Sequence, residues 1–311
     1  MPATVILPYA ADRTTAEDIN RITHSLHRHD PGIRMIPFNT DVTPVALAEP
    51  LGRKTITVTL NNDAPSAIFE HVPGPKFFAP SKSKTQIVDD LVAAGIPMPH
   101  TEVFNPDHPP DEAVFGPYIA IKTTAPGTAR AKGIYVFRTG QFAKLRNMIL
   151  ALYRQDMAAG HTPLLQQYIP TGPKPVHTRV TTFLGAPIVC FQTIAPNSFS
   201  PNTLDGLAGG EATSNYRRDR TRVLSHDPEM VELAKKVCAV HPQASVLSID
   251  MVRCAETQKL YCLESNLGNL CVLSAPICRS LQRDLGEKDI HNQFGSYTTI
   301  ARRMIETLDA I

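Results

Sequence analysis

The chain has no tryptophan, only 6% aromatic residues and no excess of either charge: 31 Lys and Arg against 29 Asp and Glu give a formal net charge of +2. Near neutrality excludes a general electrostatic grip on nucleic acid or anionic lipid. No uninterrupted apolar run approaches the roughly 18 residues that a membrane span needs. Residues 1–15 lack a basic segment, a long apolar segment and a small-residue cleavage site, so no signal peptide is expected. The six cysteines, at 190, 238, 254, 262, 271 and 278, include no C-x-x-C pair and have no histidine at zinc spacing. Cys190, Cys254 and Cys262 lie in β-like apolar runs, where a reduced cysteine serves as a small core residue. These absences describe a soluble cytoplasmic protein with reduced thiols.

What the chain does have is core-forming material. Its 311 residues, 42% of them hydrophobic, suffice for about two domains. A short apolar run at 3–9 precedes helical spacing of Ile19, Ile22 and Leu26 across 14–29, and strand-like runs follow at 33–38 and 55–60. Strands alternating with a helix predict a small α/β unit with a parallel sheet. Ser83-Lys84-Thr85 opens a second helix through Ile87, Leu91 and Val92, closed by Gly95 with Pro97 beyond. Strands are expected at 118–122 and 133–137, then one long helix over 141–158. From 164 the pattern changes to strands at 164–169, 178–183, 188–194, 246–253 and 259–263, with helices at 228–240 and 290–308. The loop 197–216 is long, and long ordered loops tend to carry function.

Four features carry chemistry. Lys122 ends an apolar strand, where an unpaired ammonium is costly to bury unless it meets an anion such as phosphate. The segment 123–133 after it is rich in Thr and basic residues, and Gly127 and Gly133 let backbone N–H groups approach a phosphate. Alone, this segment fits an ordinary basic hairpin better. Glu264 and Asn266, two apart on a strand, face one side, and Asp250 ends an apolar strand that can pair antiparallel with theirs. Three hard oxygen ligands suit Mg²⁺. Solvated surface acids are the alternative, and they fit poorly because both acids interrupt strongly apolar strands. A third feature, Leu164-Leu-Gln-Gln-Tyr-Ile-Pro170, is a strand leading into a turn. The fourth is the basic set Arg179, Arg217 and Arg218, whose forks match phosphate and carboxylate, although singly each is more often a solvated charge. His24, His27 and His29 do not converge on one helix face, and Arg279 and Arg283 suit a solvated helix face.

The order and spacing of these features resemble the ATP-grasp superfamily, and within it the RimK-type glutamate ligases and the D-alanine–D-alanine ligase-like enzymes. The resemblance covers about residues 81–268. It implies an α/β (α+β) ATP-grasp fold. A small parallel-sheet domain would occupy 1–80, a central lid subdomain 81–163, and a mainly antiparallel subdomain with a Mg site 164–311. The segment from Lys84 to Pro97 looks like the family's "K…L…AGIP" helix, whose lysine reaches the nucleotide phosphates, and Lys122 looks like the second ATP lysine. Residues 123–133, with Gly127, Thr128 and Gly133, stand in the place of the glycine-rich lid. Residues 164–169 resemble the "LVQEYI" hinge, which puts Gln167, Tyr168 and Ile169 at the adenine. Arg179 matches a RimK-like arginine, and 214–218, with Arg217, resemble the "SNxxR" loop near the acceptor site. Asp250, Glu264 and Asn266 fall on the three magnesium ligands, the most specific part of the match. Departures are also present. Ala129 and Ala131 replace lid glycines, His177 stands where related ligases place an acid for the ribose, and Leu267-Gly-Asn-Leu-Cys271 replaces a proline-containing turn.

The resemblance implies a carboxylate–amine ligase that uses ATP and one or two Mg²⁺ (or Mn²⁺) ions and acts on small carboxylate and amine substrates, such as an amino acid or short peptide. Arg179 and Arg217 would stabilise the acylphosphate. Neither nucleic acid nor membrane is an expected partner, and homodimers are common among such ligases. An ATP-binding regulatory protein without ligase activity, or a small-molecule kinase on the same scaffold, are the competing expectations.

Overall fold

The computed structural model describes residues 2–11, 14–41, 51, 54–60, 66–78, 82–125, 133–215, 219–267 and 278–311. Strand β1 (Thr4–Tyr9) is almost wholly buried. Helix α1 (Ala16–His29) starts at a reciprocal cap: the Asp18 N–H donates to the Thr15 hydroxyl, and the Asp18 carboxylate accepts the Thr15 N–H. With β2 (Arg34–Asn39), β3 (Thr55–Val58) and β4 (Lys76–Phe77), β1 forms an all-parallel sheet in the order β2-β1-β3-β4. This is the α/β unit that the alternating pattern predicts. Its core is not self-contained. Val5, Leu7, Ile22, Ile56 and Val58 belong to one apolar cluster with Phe183, Ile188, Ile300 and Met304.

The second sheet is antiparallel. Helix α2 (Lys84–Ala93), capped by Ser83, precedes β5 (Thr101–Val103), α3 (Glu112–Phe115), β6 (Tyr118–Lys122) and β7 (Ile134–Arg138). Then come α4 (Phe142–Leu152), α5 (Arg154–Ala158) and β8 (Leu164–Gln167), and the strand order is β5-β8-β6-β7. The single helix expected over 141–158 is broken at Tyr153, which is 2% exposed and turned inward. Its hydroxyl donates to the carbonyls of Ile121 (3.2 Å) and Gly133 (2.8 Å). The Tyr153 backbone departs from helical angles (φ −104°, ψ 10°) while its N–H still donates to the Ile149 carbonyl, so the chain bends there to seat the phenol. Strand β8 pairs with β6, so residue 164 opens a strand of this sheet.

The third sheet is also antiparallel: β9 (Val176–Phe183), β10 (Ala186–Ile194), β11 (Thr221–Leu224), then helix α6 (Pro228–Val240), β12 (Val246–Arg253) and β13 (Leu260–Leu267), in the order β11-β10-β9-β12-β13. Leu184 (φ 45°) and Gly185 (φ 79°) turn β9 into β10 with both central residues left-handed, as a tight hairpin requires. Helices α7 (Arg279–Leu285), α8 (Glu287–Gln293) and α9 (Ser296–Asp309) close the fold. The helix expected over 290–308 is divided between α8 and α9 at Gly295, whose φ of 60° cannot continue an α-helix. β4, β5 and β11 are short strands that end a sheet, and their sequences show no clear alternation. Burial pushes the thiols of Cys190 and Cys238 up to about 11 and that of Cys262 to about 12, as fits inert core residues. Among the described residues, no helix is long and apolar enough to cross a membrane.

Candidate functional site

The site lies where a face of the second sheet meets a face of the third. On β9, β12 and β13 the register sets Arg179 opposite Asp250 and Asp250 opposite Glu264, a row of three ionisable side chains across adjacent strands. Arg179 forks onto Asp250, with Nε 2.6 Å from Oδ1 and Nη2 2.6 Å from Oδ2. Burial alone would push the Asp250 carboxyl up. The adjacent Arg179 charge and its hydrogen bonds prevail, with help from His177 and Glu264, and hold it at about 2. The Asn266 amide nitrogen lies 3.2 Å from Glu264 Oε1 and 3.4 Å from Asp250 Oδ2, bridging the two carboxylates. Sequence spacing pointed to these three residues, and the fold brings them together.

A β-bulge gives Glu264 its place. Asp250 pairs with Glu264 but Met251 pairs with Cys262, so Leu263 is the extra residue on β13. In a regular strand Leu263 and Glu264 would face opposite sides; here both line the cleft. Opposite them, Ala120 and Lys122 on β6 and Ile134 and Val136 on β7 share one face, and Val252 and Ile169 complete an apolar slot. Together with the open solvent at its mouth, this cleft spans about 830 Å³.

The two lysines converge beside the acids. Burial pushes the Lys122 ammonium down, the nearby Glu264 raises it, and Lys84 lowers it again. Lys84, the first residue of α2, donates to the Thr123 carbonyl at 3.2 Å. Gly133, at φ 74°, ends the segment: a Cβ there would stand 2.9 Å from the Thr123 methyl carbon. At the slot's other end the Gln167 N–H donates to the His100 carbonyl (2.8 Å) and the Tyr168 N–H to the Tyr118 carbonyl (3.0 Å). Among the described residues no backbone carbonyl takes the Ile169 N–H.

His177 lies deep in this cleft, its Nδ1 2.6 Å from the Ser214 hydroxyl and its Nε2 3.7 Å from Asp250 Oδ1. Burial lowers it to about 4, against the pull of Asp250 and with that of Arg179, Arg220 and Arg222, so it is neutral at physiological pH. Gly127, Thr128 and Arg217 lie outside the described residues. Residue-by-residue reading missed the apolar walls, the His177–Ser214 pair and the approach of Arg220. A signal for the walls was available in the alternation of Ile134 with Val136, whereas the other two depend on which strands become neighbours.

The donor set fits a hard cation. Among the described residues no three His, Cys, Asp or Glu side chains gather as a metal site. Two carboxylates and an amide lie together, and Mg²⁺ commonly takes one or two carboxylates and completes its shell with water and phosphate oxygens. Turning the Asn266 amide over would present its oxygen where its nitrogen now bridges the acids.

Comparison with solved structures decides the architecture. A RiPP-associated ATP-grasp ligase from Chryseobacterium gregarium superposes over 98% of this chain and 97% of its own, with a TM-score of 0.56 at 13% identity. The D-alanine–D-alanine ligase of Bacillus anthracis covers 100% of this chain and 98% of its own, with a TM-score of 0.53 at 11% identity. This chain has the ATP-grasp fold. A RimK-domain ATP-grasp protein from Sphaerobacter thermophilus matches 97% of this chain and 99% of its own, at 14% identity and a TM-score of 0.53. No protein-family model and no curated protein matches the sequence. The ATP-grasp fold is carried here by a sequence 11–14% identical to these three solved structures.

Proposed function

We propose that this protein is an ATP-dependent carboxylate–amine ligase that forms an amide or peptide bond through an acylphosphate and releases ADP and phosphate. The observation that carries this reading is the cation–acid arrangement: Lys84 and Lys122 beside the Arg179–Asp250–Glu264 row, at the end of an apolar slot that closes on Gln167–Ile169. Phosphoryl transfer needs positioning and charge neutralisation more than a covalent protein group, and this cleft supplies both. Solved relatives of the fold are complexed with ATP, and with Mg and ADP, which supports the same nucleotide and ion here.

The adenine lies in the apolar slot, with the Ile169 N–H as donor to a ring nitrogen. Lys84 leaves the Thr123 carbonyl for a phosphate oxygen and, with Lys122, holds the triphosphate. Asp250, Glu264 and Asn266 would hold Mg²⁺, which when bound neutralises charge on the phosphate oxygens. An oxygen of the substrate carboxylate attacks the γ-phosphorus, the bond to the β-phosphate oxygen breaks, and ADP leaves. The amine nitrogen then attacks the acyl carbon, the carbon–oxygen bond to phosphate breaks, and the ammonium proton goes to solvent. Arg179 and Arg217 stabilise the acylphosphate. A relative complexed with leader and core peptide, and others that are D-alanine–D-alanine ligases, support an amino acid or short peptide as substrate.

ADP release measured across amino acids, with and without a second amine, tests the reading, with mass spectrometry of the product. Release that needs both partners supports the ligase. Release with one hydroxyl acceptor identifies a kinase, and no release identifies a nucleotide-binding protein. Glu264→Gln is expected to lower ADP release by about 100-fold or more while the fold survives; near-normal turnover would remove the metal assignment.

A further inference from the structure

Within the site the protein itself compensates the charge of the acid cluster. Both oxygens of Asp250 are occupied by the Arg179 fork at 2.6 Å. The register makes this contact available, because the two residues stand opposite each other on β9 and β12, where Asp250 is 6% exposed. A planar fork on a buried carboxylate is among the strongest neutralisations a protein offers. A divalent cation entering alone meets a guanidinium charge at close range in a poorly screened site. A triphosphate reverses that balance, because its oxygens offer the guanidinium another acceptor and bring compensating negative charge.

We propose that Arg179 is a latch on the metal site: it holds Asp250 in the nucleotide-free protein, keeps free divalent cations out, and releases the carboxylate when metal arrives with its nucleotide. This rests on the metal site of the ligase reading and goes beyond it by fixing an order of binding. Arg179 acts here as a positioning residue through Asp250, in addition to its role toward the acylphosphate.

Mn²⁺ binding followed by electron paramagnetic resonance tests the latch without turnover. Purified wild type, Arg179→Lys and Arg179→Gln are titrated with Mn²⁺ alone and with Mn²⁺ plus ADP, and thermal melts report folding. Without nucleotide, Arg179→Gln is expected to bind Mn²⁺ at least tenfold more tightly than wild type. Arg179→Lys, whose ammonium makes one contact where the fork makes two, should gain at least threefold, and it decides the matter if the glutamine variant does not fold. Affinities in Arg179→Lys equal to or below wild type overturn the latch. So does a wild-type protein that binds Mn²⁺ alone as tightly as it does with ADP, which requires no variant. A different failure, in which no protein binds Mn²⁺ even with ADP present, overturns the metal site itself and with it the ligase reading.

Discussion

Leu263 and Glu264 are sequence neighbours that a regular strand would point in opposite directions, yet one lines the apolar slot and the other belongs to the acid row. One bulge serves both purposes, and no residue type in the sequence announces it. Other residues work by capping. Asp227 accepts the N–H groups of Glu229 (3.0 Å) and Met230 (3.2 Å) at the start of α6 and receives Arg253 at 2.8 Å. Burial pushes its carboxyl up, but Arg253 and the two amides outweigh this and hold it below the usual range. Asp227→Ala should therefore cost about 1–2 kcal/mol near neutral pH. A carboxyl lowered on folding contributes stability that is complete above its unfolded value of about 3.9 and is lost as pH falls through its folded value. The gap between variant and wild type in urea unfolding should accordingly close below about pH 4. A pH-independent gap would mean that the charge contributes nothing.

Among the elements, the departures from sequence expectation have local causes. Periodicity placed α1, α2, α6 and most strands, because one buried face repeats at a fixed interval. It joined α4 to α5 because Tyr153 is compatible with either a helix surface or a core, and only the carbonyls of Ile121 and Gly133 decide between them. Tyr153→Phe removes a donor shared by two largely buried acceptors and should cost about 1–3 kcal/mol. Chemical denaturation measures that loss; an unchanged midpoint would show that the two carbonyls do not need the hydroxyl, as when the Thr123 N–H suffices for Gly133. The turn at Leu184 and Gly185 is likewise supported from a distance, since Arg303 on α9 donates to the Leu184 carbonyl through Nε (2.9 Å) and Nη2 (2.6 Å).

Across the whole molecule, the three sheets are tied together by contacts far apart in sequence. The Tyr297 hydroxyl donates to Asp18 at 2.8 Å, fastening α9 to the cap of α1. The segment between β10 and β11 leaves the third sheet and pairs with the second, where Val136 and Ala208 exchange backbone hydrogen bonds at 2.7 and 2.8 Å. Arg138 secures it, donating to the carbonyls of Leu204 (2.8 Å) and Asn202 while lying over the Tyr118 ring. Arg138→Ala should loosen this strap by about 1.4 kcal/mol, or tenfold in local opening. Limited chymotrypsin digestion at Phe199 and Leu204 would register it, and an unchanged cleavage rate would assign the anchoring to the Val136–Ala208 bridge and the contacts of Tyr118 and Gln141 with Asn202, Asp205 and Gly206.

The sequence by itself determined the local order of strands and helices and the types of group in the site, because hydrophobic period and residue chemistry are properties of neighbours along the chain. Lys122, Arg179, Asp250, Glu264 and Asn266 were legible on that basis, and Lys84 through the resemblance of its helix to the family's. Only the tertiary structure decided that Arg179 lies on Asp250, that Ser214 holds His177, that Leu263 shares the cleft with Glu264, and that the first sheet shares its core with the last helix. Each of these depends on strand register and on which distant faces meet, and those are set by burying the whole apolar surface at once and by no single segment.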